Sequence, residues 1–421
     1  MNGRMKRRLP LLALLMALPL GACIDDERPL APGGRTEDAL FRRYVAMGNS
    51  ITAGYMSGGI NDSTQELAYP VLLAEMANAD FGIPELARPG CPPPLTAVLD
   101  TLPGGGFGLN TDRVGGAASD FCALREFPSP DLLQNLAVPG AKIADAVLPP
   151  SRAPSPNTLT TLILGGESQI RAMQRAQPTM VTAWLGNNDA LQGGLTGDLS
   201  LMTPVDTFAF YADELGSGIS FAAPRLAILI GVTRPTQAPV LQPGLYYWVL
   251  DSLGISPKPV AADCAPTTGG VENDLASNLV SFLAYQNPAI TTISCADDAP
   301  FVINVPFELD TLNTRVTAYN NALRGEAQSR GFLFLDPNVI VGAALGGAQG
   351  PNRIRQCTAL DAGDPLPTIV QAVINTCPWP SAPNFWGSFI SYDGVHPSAA
   401  AHQVIADAIA AAINSDQGTS L

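Results

Sequence analysis

The chain has 421 residues, of which 46% are hydrophobic and 14% charged, enough apolar material for a large core and far from a disordered tail or a collagen-like fibre. Acidic residues outnumber basic ones by 37 to 23, for a net charge of -14. This excess argues against nucleic acid as a partner, because phosphate binding needs clustered Lys and Arg, and it disfavours a strongly anionic substrate. The length admits about two or three domains, or one α/β domain with large insertions.

The N-terminus reads as an export signal. Met1 to Arg8 carries Arg4, Lys6, Arg7 and Arg8, Leu9 to Leu20 is apolar, and Leu20-Gly21-Ala22-Cys23 closes the segment with small residues. The apolar run falls short of the roughly 20 residues of a spanning helix. No later stretch reaches that length without charges or prolines, so a transmembrane domain is not expected. Leu20-Gly21-Ala22-Cys23 resembles a bacterial lipobox, which implies cleavage before Cys23 and lipidation of that residue as a membrane anchor. Ile24 and the following Asp25-Asp26-Glu27 do not read as a sharp retention signal, so the resemblance favours the outer membrane. An ordinary cleaved signal with an incidental cysteine is the alternative. The expected organisation is a signal peptide over 1–22, a lipidated N-terminus and tether over 23–42, a catalytic domain over 43–415 and a tail over 416–421.

Tyr44-Val45-Ala46-Met47, ended by Gly48-Asn49-Ser50, reads as a first buried parallel strand. Apolar runs at Thr179 to Leu185, Leu226 to Val232 and Phe332 to Leu335 are further strands. Leu312, Val316, Tyr319 and Leu323 step at helical period, as do Val404, Ala408, Ile409 and Ala412. Strands alternating with helices imply a parallel sheet covered on both faces. Pro84 to Pro130, Gly193 to Thr207 and Gln237 to Pro306 break the alternation and read as insertions and lids, of which the large ones are about 84–130 and 237–306. There is no internal repeat or heptad array, and low complexity is confined to clusters such as Pro92-Pro93-Pro94 and Gly104-Gly105-Gly106.

Of the 7 cysteines, all but Cys23 form an even set that an oxidising compartment would let pair. Nearest neighbours are favoured, Cys91 with Cys122, Cys264 with Cys295 and Cys357 with Cys377, because each pair brackets a Pro/Gly-rich stretch. A metal site is not expected: there is no CxxC, and neither histidine lies near a cysteine pair.

In an open α/β sheet reactive groups gather outside the carboxyl ends of the strands. Ser50 follows the first strand at a strand-to-helix turn, where its hydroxyl stands beside backbone N–H groups free at the helix start. It is a candidate nucleophile; the competing reading is a helix N-cap. A serine nucleophile needs a base, and the chain offers 2 histidines. His396, in Asp393-Gly394-Val395-His396-Pro397, has a carboxylate at Asp393 that can orient its ring. His402 lies inside a helical segment, where a surface or core role fits better. Asn135-Leu136-Ala137-Val138-Pro139-Gly140 and Gly186-Asn187-Asn188-Asp189 are turns that can aim neutral donors, the Gly140 N–H and the Asn188 amide, at an oxyanion; ordinary turn chemistry is the alternative for each.

In this order the blocks around Ser50, Gly140, Asn188 and His396 resemble those of the SGNH (GDSL-like) hydrolase family. The resemblance implies Ser50 as nucleophile, Asp393 and His396 as the orienting acid and base, and the Ser50 N–H, Gly140 and Asn188 as oxyanion hole. It also implies a flavodoxin-like three-layer α/β/α sandwich with a five-stranded parallel sheet and a serine ester hydrolase that needs no cofactor. The family's usual Asp-Ser-Leu is Asn49-Ser50-Ile51 here, which keeps size and hydrogen bonding but loses a charge. Leu245-Tyr246-Tyr247-Trp248-Val249-Leu250 suits a neutral lipid or short-chain ester, or is buried core. Trp379, Phe385 and Trp386 suit an O-acetylated polysaccharide instead. A surface binding lipoprotein without turnover is the reading outside catalysis. Cys23→Ser should release the protein from membrane fractions; a variant still fully membrane-bound would refute the anchor.

Overall fold

Short apolar runs that end in glycine, asparagine or proline build the centre of the molecule. A computed structural model describes residues 39–101, 107–116, 122–125, 132–266, 274–346, 353–357, 360–380 and 384–421; the expected signal peptide, Cys23 and the expected tether as far as Asp38 lie outside them, whereas Leu40 and Phe41, expected in that tether, are packed in the core. The strands in chain order are β1 (Tyr44–Gly48), β2 (Leu99–Thr101), β3 (Phe107–Leu109), β4 (Met180–Trp184), β5 (Leu226–Ile230), β6 (Leu241–Pro243), β7 (Leu279–Ser281), β8 (Val302–Ile303) and β9 (Leu333–Leu335).

The main sheet is parallel in the order β1-β4-β5-β9, with Val45 opposite Val181 and Ala183 opposite Leu229. Every residue of β1, β4 and β5 is buried, as expected where helices cover both faces. Alternation along the strands sorts the side chains into two cores. Val45, Met47, Val181, Ala183, Ala227 and Leu229 face the helices Gln169–Ala176, Val205–Ala222 and Phe307–Arg330. Ala46, Met180, Trp184, Ile228 and Ile230 face the helices Tyr69–Met76 and Ala399–Gln417. This is the three-layer α/β/α sandwich.

The sheet has four full strands rather than the five expected. The fifth place is taken by residues 134–138, which run parallel to β1 with a single bridge, Ala46 to Asn135. The reason lies in the donors: the N–H groups of both Gln134 and Asn135 go to the Gly82 carbonyl, leaving Leu136 and Val138 to bond Ala46 and Gly48.

Two further expectations are corrected. Gly193 to Thr207 is no lid: the helix Asn187–Thr196 runs through Gly193 and Gly194. A Cβ at those positions would lie 2.7 Å from Met202 and 2.6 Å from Pro235, so the glycines serve close packing rather than freedom. In the helix Ala399–Gln417 the buried face is Ala401, Ile405, Ala406, Ile409, Ala410 and Ile413, rotated from the Val404, Ala408, Ala412 stripe because an alanine-rich helix offers two overlapping apolar faces.

The structure joins Cys91 to Cys122, Cys264 to Cys295 and Cys357 to Cys377. Around the first lies the β2–β3 hairpin. The second ties down a separate antiparallel sheet, β6-β7-β8, and the helix Gly244–Ser252. Among the described residues no helix is long and apolar enough to cross a membrane.

The rotated face is testable. Ile409→Ala should cost about 2–5 kcal/mol by denaturant unfolding and Val404→Ala under about 1; equal losses would contradict the assignment.

Candidate active site

The site begins with a sharp turn out of β1. A Cβ on Gly48 would lie 2.1 Å from the Thr52 hydroxyl oxygen, so only glycine lets the strand enter the helix Ser50–Ala53 this abruptly. The Gln169 amide clamps the turn, accepting from the Gly48 N–H at 2.8 Å and donating to its carbonyl at 2.9 Å. Asn49 is the helix N-cap, its Oδ1 accepting from the Ile51 N–H. Capping therefore falls to Asn49, and the Ser50 hydroxyl is left for other work.

That hydroxyl meets His396. The Ser50 Oγ lies 2.8 Å from His396 Nε2, and His396 Nδ1 lies 2.9 Å from Asp393 Oδ2. With the Nδ1 proton donated to the carboxylate, Nε2 accepts from the serine. Asp393 Oδ1 also accepts from the Val395 and His396 N–H groups, and Oδ2 from the Gly58 N–H at 2.6 Å. Burial pushes the Asp393 carboxyl up, but the His396 imidazole and these donors outweigh it and hold it below the usual carboxylate range. The Tyr55 ring packs on the imidazole with centroids 4.8 Å apart. Burial and the Asp393 charge push its phenol up to about 12.

Gly140 and Asn188 line the same cleft as Ser50 and His396. Gly140 sits at φ +83, a left-handed conformation that suits glycine. The Asn188 amide donates to the Ala141 carbonyl at 2.9 Å, which fixes its orientation beside that turn. Asp189 completes the tie: its Oδ2 accepts from the Ile143 N–H and its Oδ1 from the Thr203 hydroxyl. The structure thus brings together Ser50, Gly140, Asn188, Asp393 and His396.

His402 stands apart. It is fully buried, its Nδ1 accepts from the Tyr69 N–H, and burial pushes it down to about 3, so it is a neutral core residue joining two helices. Phe385 and Trp386 are also core: they pack on Phe282, and the Trp386 indole donates to the Tyr392 carbonyl. Trp379 packs against the same core. Leu245, Tyr246, Tyr247, Val249 and Leu250 are buried in the insertion, so they offer no acyl surface, and Phe385 and Trp386 no sugar platform; Trp248 and Trp379 are half-buried. Asp263, Cys264 and Cys295 cluster at metal-binding distance, but both sulfurs are spent in a disulfide.

Sequence reasoning missed Gly58 and Tyr55, both just after the Ser50 helix. The only local signal was the Ser57-Gly58-Gly59 turn, with nothing to say that it reaches Asp393.

Asp189 gives the site a pH signature. Burial pushes its carboxyl up to about 6 against the Thr203 and Ile143 donors. A raised carboxyl contributes stability that is fully present below about pH 4 and lost as pH rises through about 6. Between those limits wild type should therefore lose up to about 3 kcal/mol relative to Asp189→Asn, at about 1.36 kcal/mol per unit. Denaturant unfolding at both ends of the window checks this, and a difference independent of pH would refute it.

The sequence matches the GDSL-like lipase/acylhydrolase family over residues 44–409. No curated protein matches it. Among solved structures it is similar to an α/β hydrolase from the metagenome of Lake Arreo, Spain, at 14% identity and TM-score 0.34, covering 88% of this chain and 93% of that one. It is similar also to a catalytic mutant of an acetylxylan esterase from Geobacillus stearothermophilus, at 11% identity and TM-score 0.31, covering 87% and 91%. Likenesses this distant carry no argument of their own, and the assignment rests on the family match together with the parallel sheet. The chain belongs to the GDSL-like lipase/acylhydrolase family and is a hydrolase acting on ester bonds.

Proposed function

We propose that the protein hydrolyses carboxylic esters through an acyl-serine intermediate. The observation that carries this reading is the continuous relay Ser50–His396–Asp393, at 2.8 and 2.9 Å. His396 Nε2 takes the Ser50 proton as Oγ bonds the carbonyl carbon, and returns it to the departing alcohol oxygen as the ester C–O bond breaks. Water then attacks the acyl-serine, giving its proton to the same nitrogen, and the acid leaves as the Ser50 hydroxyl is restored. Asp393 holds the ring and balances the imidazolium charge. The Ser50 and Gly140 N–H groups and the Asn188 amide stabilise the oxyanion, an effect worth about 2.7–4 kcal/mol per donor.

The Asn49 departure from the family pattern is compatible with this role, because its Oδ1 still caps the helix. Burial of Phe385 and Trp386 leaves only the half-buried Trp379 of the three aromatic side chains that would suit a glycan ester. The intact relay favours turnover over a binding role. Export and anchoring through a lipid on Cys23 would place the enzyme in the cell envelope, in keeping with the disulfides.

A fluorophosphonate probe should label folded, oxidised wild type, and the label should vanish in Ser50→Ala. His396→Ala should abolish hydrolysis of a 4-nitrophenyl ester, and Asp393→Asn should lower kcat by about 10⁴-fold. A folded wild type that takes no label would overturn the proposal.

A further inference from the structure

Ser50 and His396 also line a second cleft, walled by Trp184, Leu191, Ile340, Val341, Phe389 and Ile390. Among these apolar side chains lies one cation, Arg234. Its guanidinium makes no hydrogen bond or ion pair with any described residue; only its backbone is engaged, the N–H by Asn338 and the carbonyl by the Gln237 N–H. Elsewhere Arg88, Arg125, Arg175, Arg324 and Arg330 pair with carboxylates, Arg43, Arg113, Arg315, Arg353 and Arg355 bond carbonyls, and Arg42, Arg152, Arg171 and Arg225 are exposed to solvent. Arg234 is also half-buried, so it is not simply solvated on an open surface.

The loop that presents it is held with unusual completeness. Three successive backbone N–H groups at the carboxyl end of β5 are each taken by an asparagine oxygen: Val232 by Asn320 at 2.6 Å, Thr233 by Asn187 at 2.9 Å and Arg234 by Asn338 at 2.9 Å. The Asn320 and Asn338 amides return to the Val232 carbonyl at 3.0 and 2.9 Å. Pro235 follows at once, packed against Gly194. A backbone this ordered, carrying a cation without an internal partner beside a nucleophile, has the form of a preorganised recognition group. A guanidinium is planar and donates in pairs to a carboxylate or a phosphate, and apolar walls strengthen that attraction.

We propose that Arg234 recognises a single anionic group, a carboxylate or a phosphodiester, on an ester whose remaining surface is apolar. The inference rests on the reading of Ser50 as nucleophile. The excess of acidic residues over the whole chain repels polyanions, whereas one local cation between apolar walls serves an amphiphile with one charge.

Two matched pairs test it and distinguish the sources: 4-nitrophenyl hydrogen adipate against 4-nitrophenyl hexanoate for a carboxylate, and lysophosphatidylglycerol against monoacylglycerol for a phosphodiester. In Arg234→Gln the anionic-to-neutral ratio of kcat/KM should fall about tenfold or more in at least one pair, as expected for loss of a hydrogen bond to a charged group. The loss should lie mainly in KM, and Arg234→Lys should restore part of it. Binding of octyl phosphate and of octanoate, each against octanol and followed by isothermal titration calorimetry, makes both comparisons without turnover. There Arg234→Gln should weaken at least one anion about tenfold relative to the alcohol. Unchanged ratios in both pairs, or in binding should no ester be turned over, would show that the guanidinium only covers the apolar wall. Wild type that cleaves none of the four esters would instead refute the esterase reading, leaving the binding comparison to decide the role of Arg234.

Discussion

The hydrogen bond between Ser50 Oγ and His396 Nε2 joins residues 346 positions apart, and much of the molecule can be understood as the means of holding it. Ser50 is carried by the first strand of the sheet, and His396 by the turn before the last helix. Both ends are over-determined. The Gln169 clamp and the missing Cβ at Gly48 fix the serine, while Asp393, with donors from Gly58, Val395 and His396 itself, fixes the imidazole. A relay made of two short bonds tolerates little drift in either support, which explains why so many buried polar groups converge on it.

The supports themselves are cross-linked through backbone polar groups. Asn188 to the Ala141 carbonyl and Asp189 to the Ile143 N–H bind the turn carrying Gly140 to the helix that starts at Asn187. Ser57 donates its N–H to the Ser391 hydroxyl and accepts from the Tyr392 N–H, tying the loop after Ser50 to the loop before His396. These loops lie at the carboxyl ends of parallel strands, where peptide groups leave the ladder and need other partners. Side-chain amides and carboxylates supply them. The cost is burial of Asp189, whose raised carboxyl shows that the tie is kept against an electrostatic penalty.

Packing decides which residues are free to act. Two histidines six residues apart end differently: His396 lies in a cleft between Ser50 and Asp393, and His402 is buried against Tyr69 as a neutral ring. The aromatic run in the insertion joins the core on one side of the main sheet, and Phe385 and Trp386 prop the Asp393 turn instead of facing solvent. Arg234 is the reverse case, a charge the interior leaves unpaired beside the reacting serine.

Local pattern was sufficient for the strands, because a segment buried on both faces is apolar and stops where polar turn residues begin; β1, β4 and β5 follow that rule, Thr182 of β4 apart, and the half-buried edge strand β9 is apolar too. The blocks around Ser50, Gly140, Asn188, Asp393 and His396 were legible only through their common order, each alone being open to ordinary turn or cap chemistry; the cysteine pairs were legible because each brackets its own loop. The buried face of the last helix was not legible, because alanine is indifferent between two stripes. Nor were the Gly58 donor on Asp393, the Tyr55 ring on His396, or the three asparagines that hold Val232 to Arg234. Their partners lie far off in the chain, 335 residues away for Gly58 and Asp393, and contacts between distant segments leave no periodicity in the sequence. Which polar groups are paired, and which cation is left for a ligand, is settled only when the sheet and its two helical layers bring the loops together.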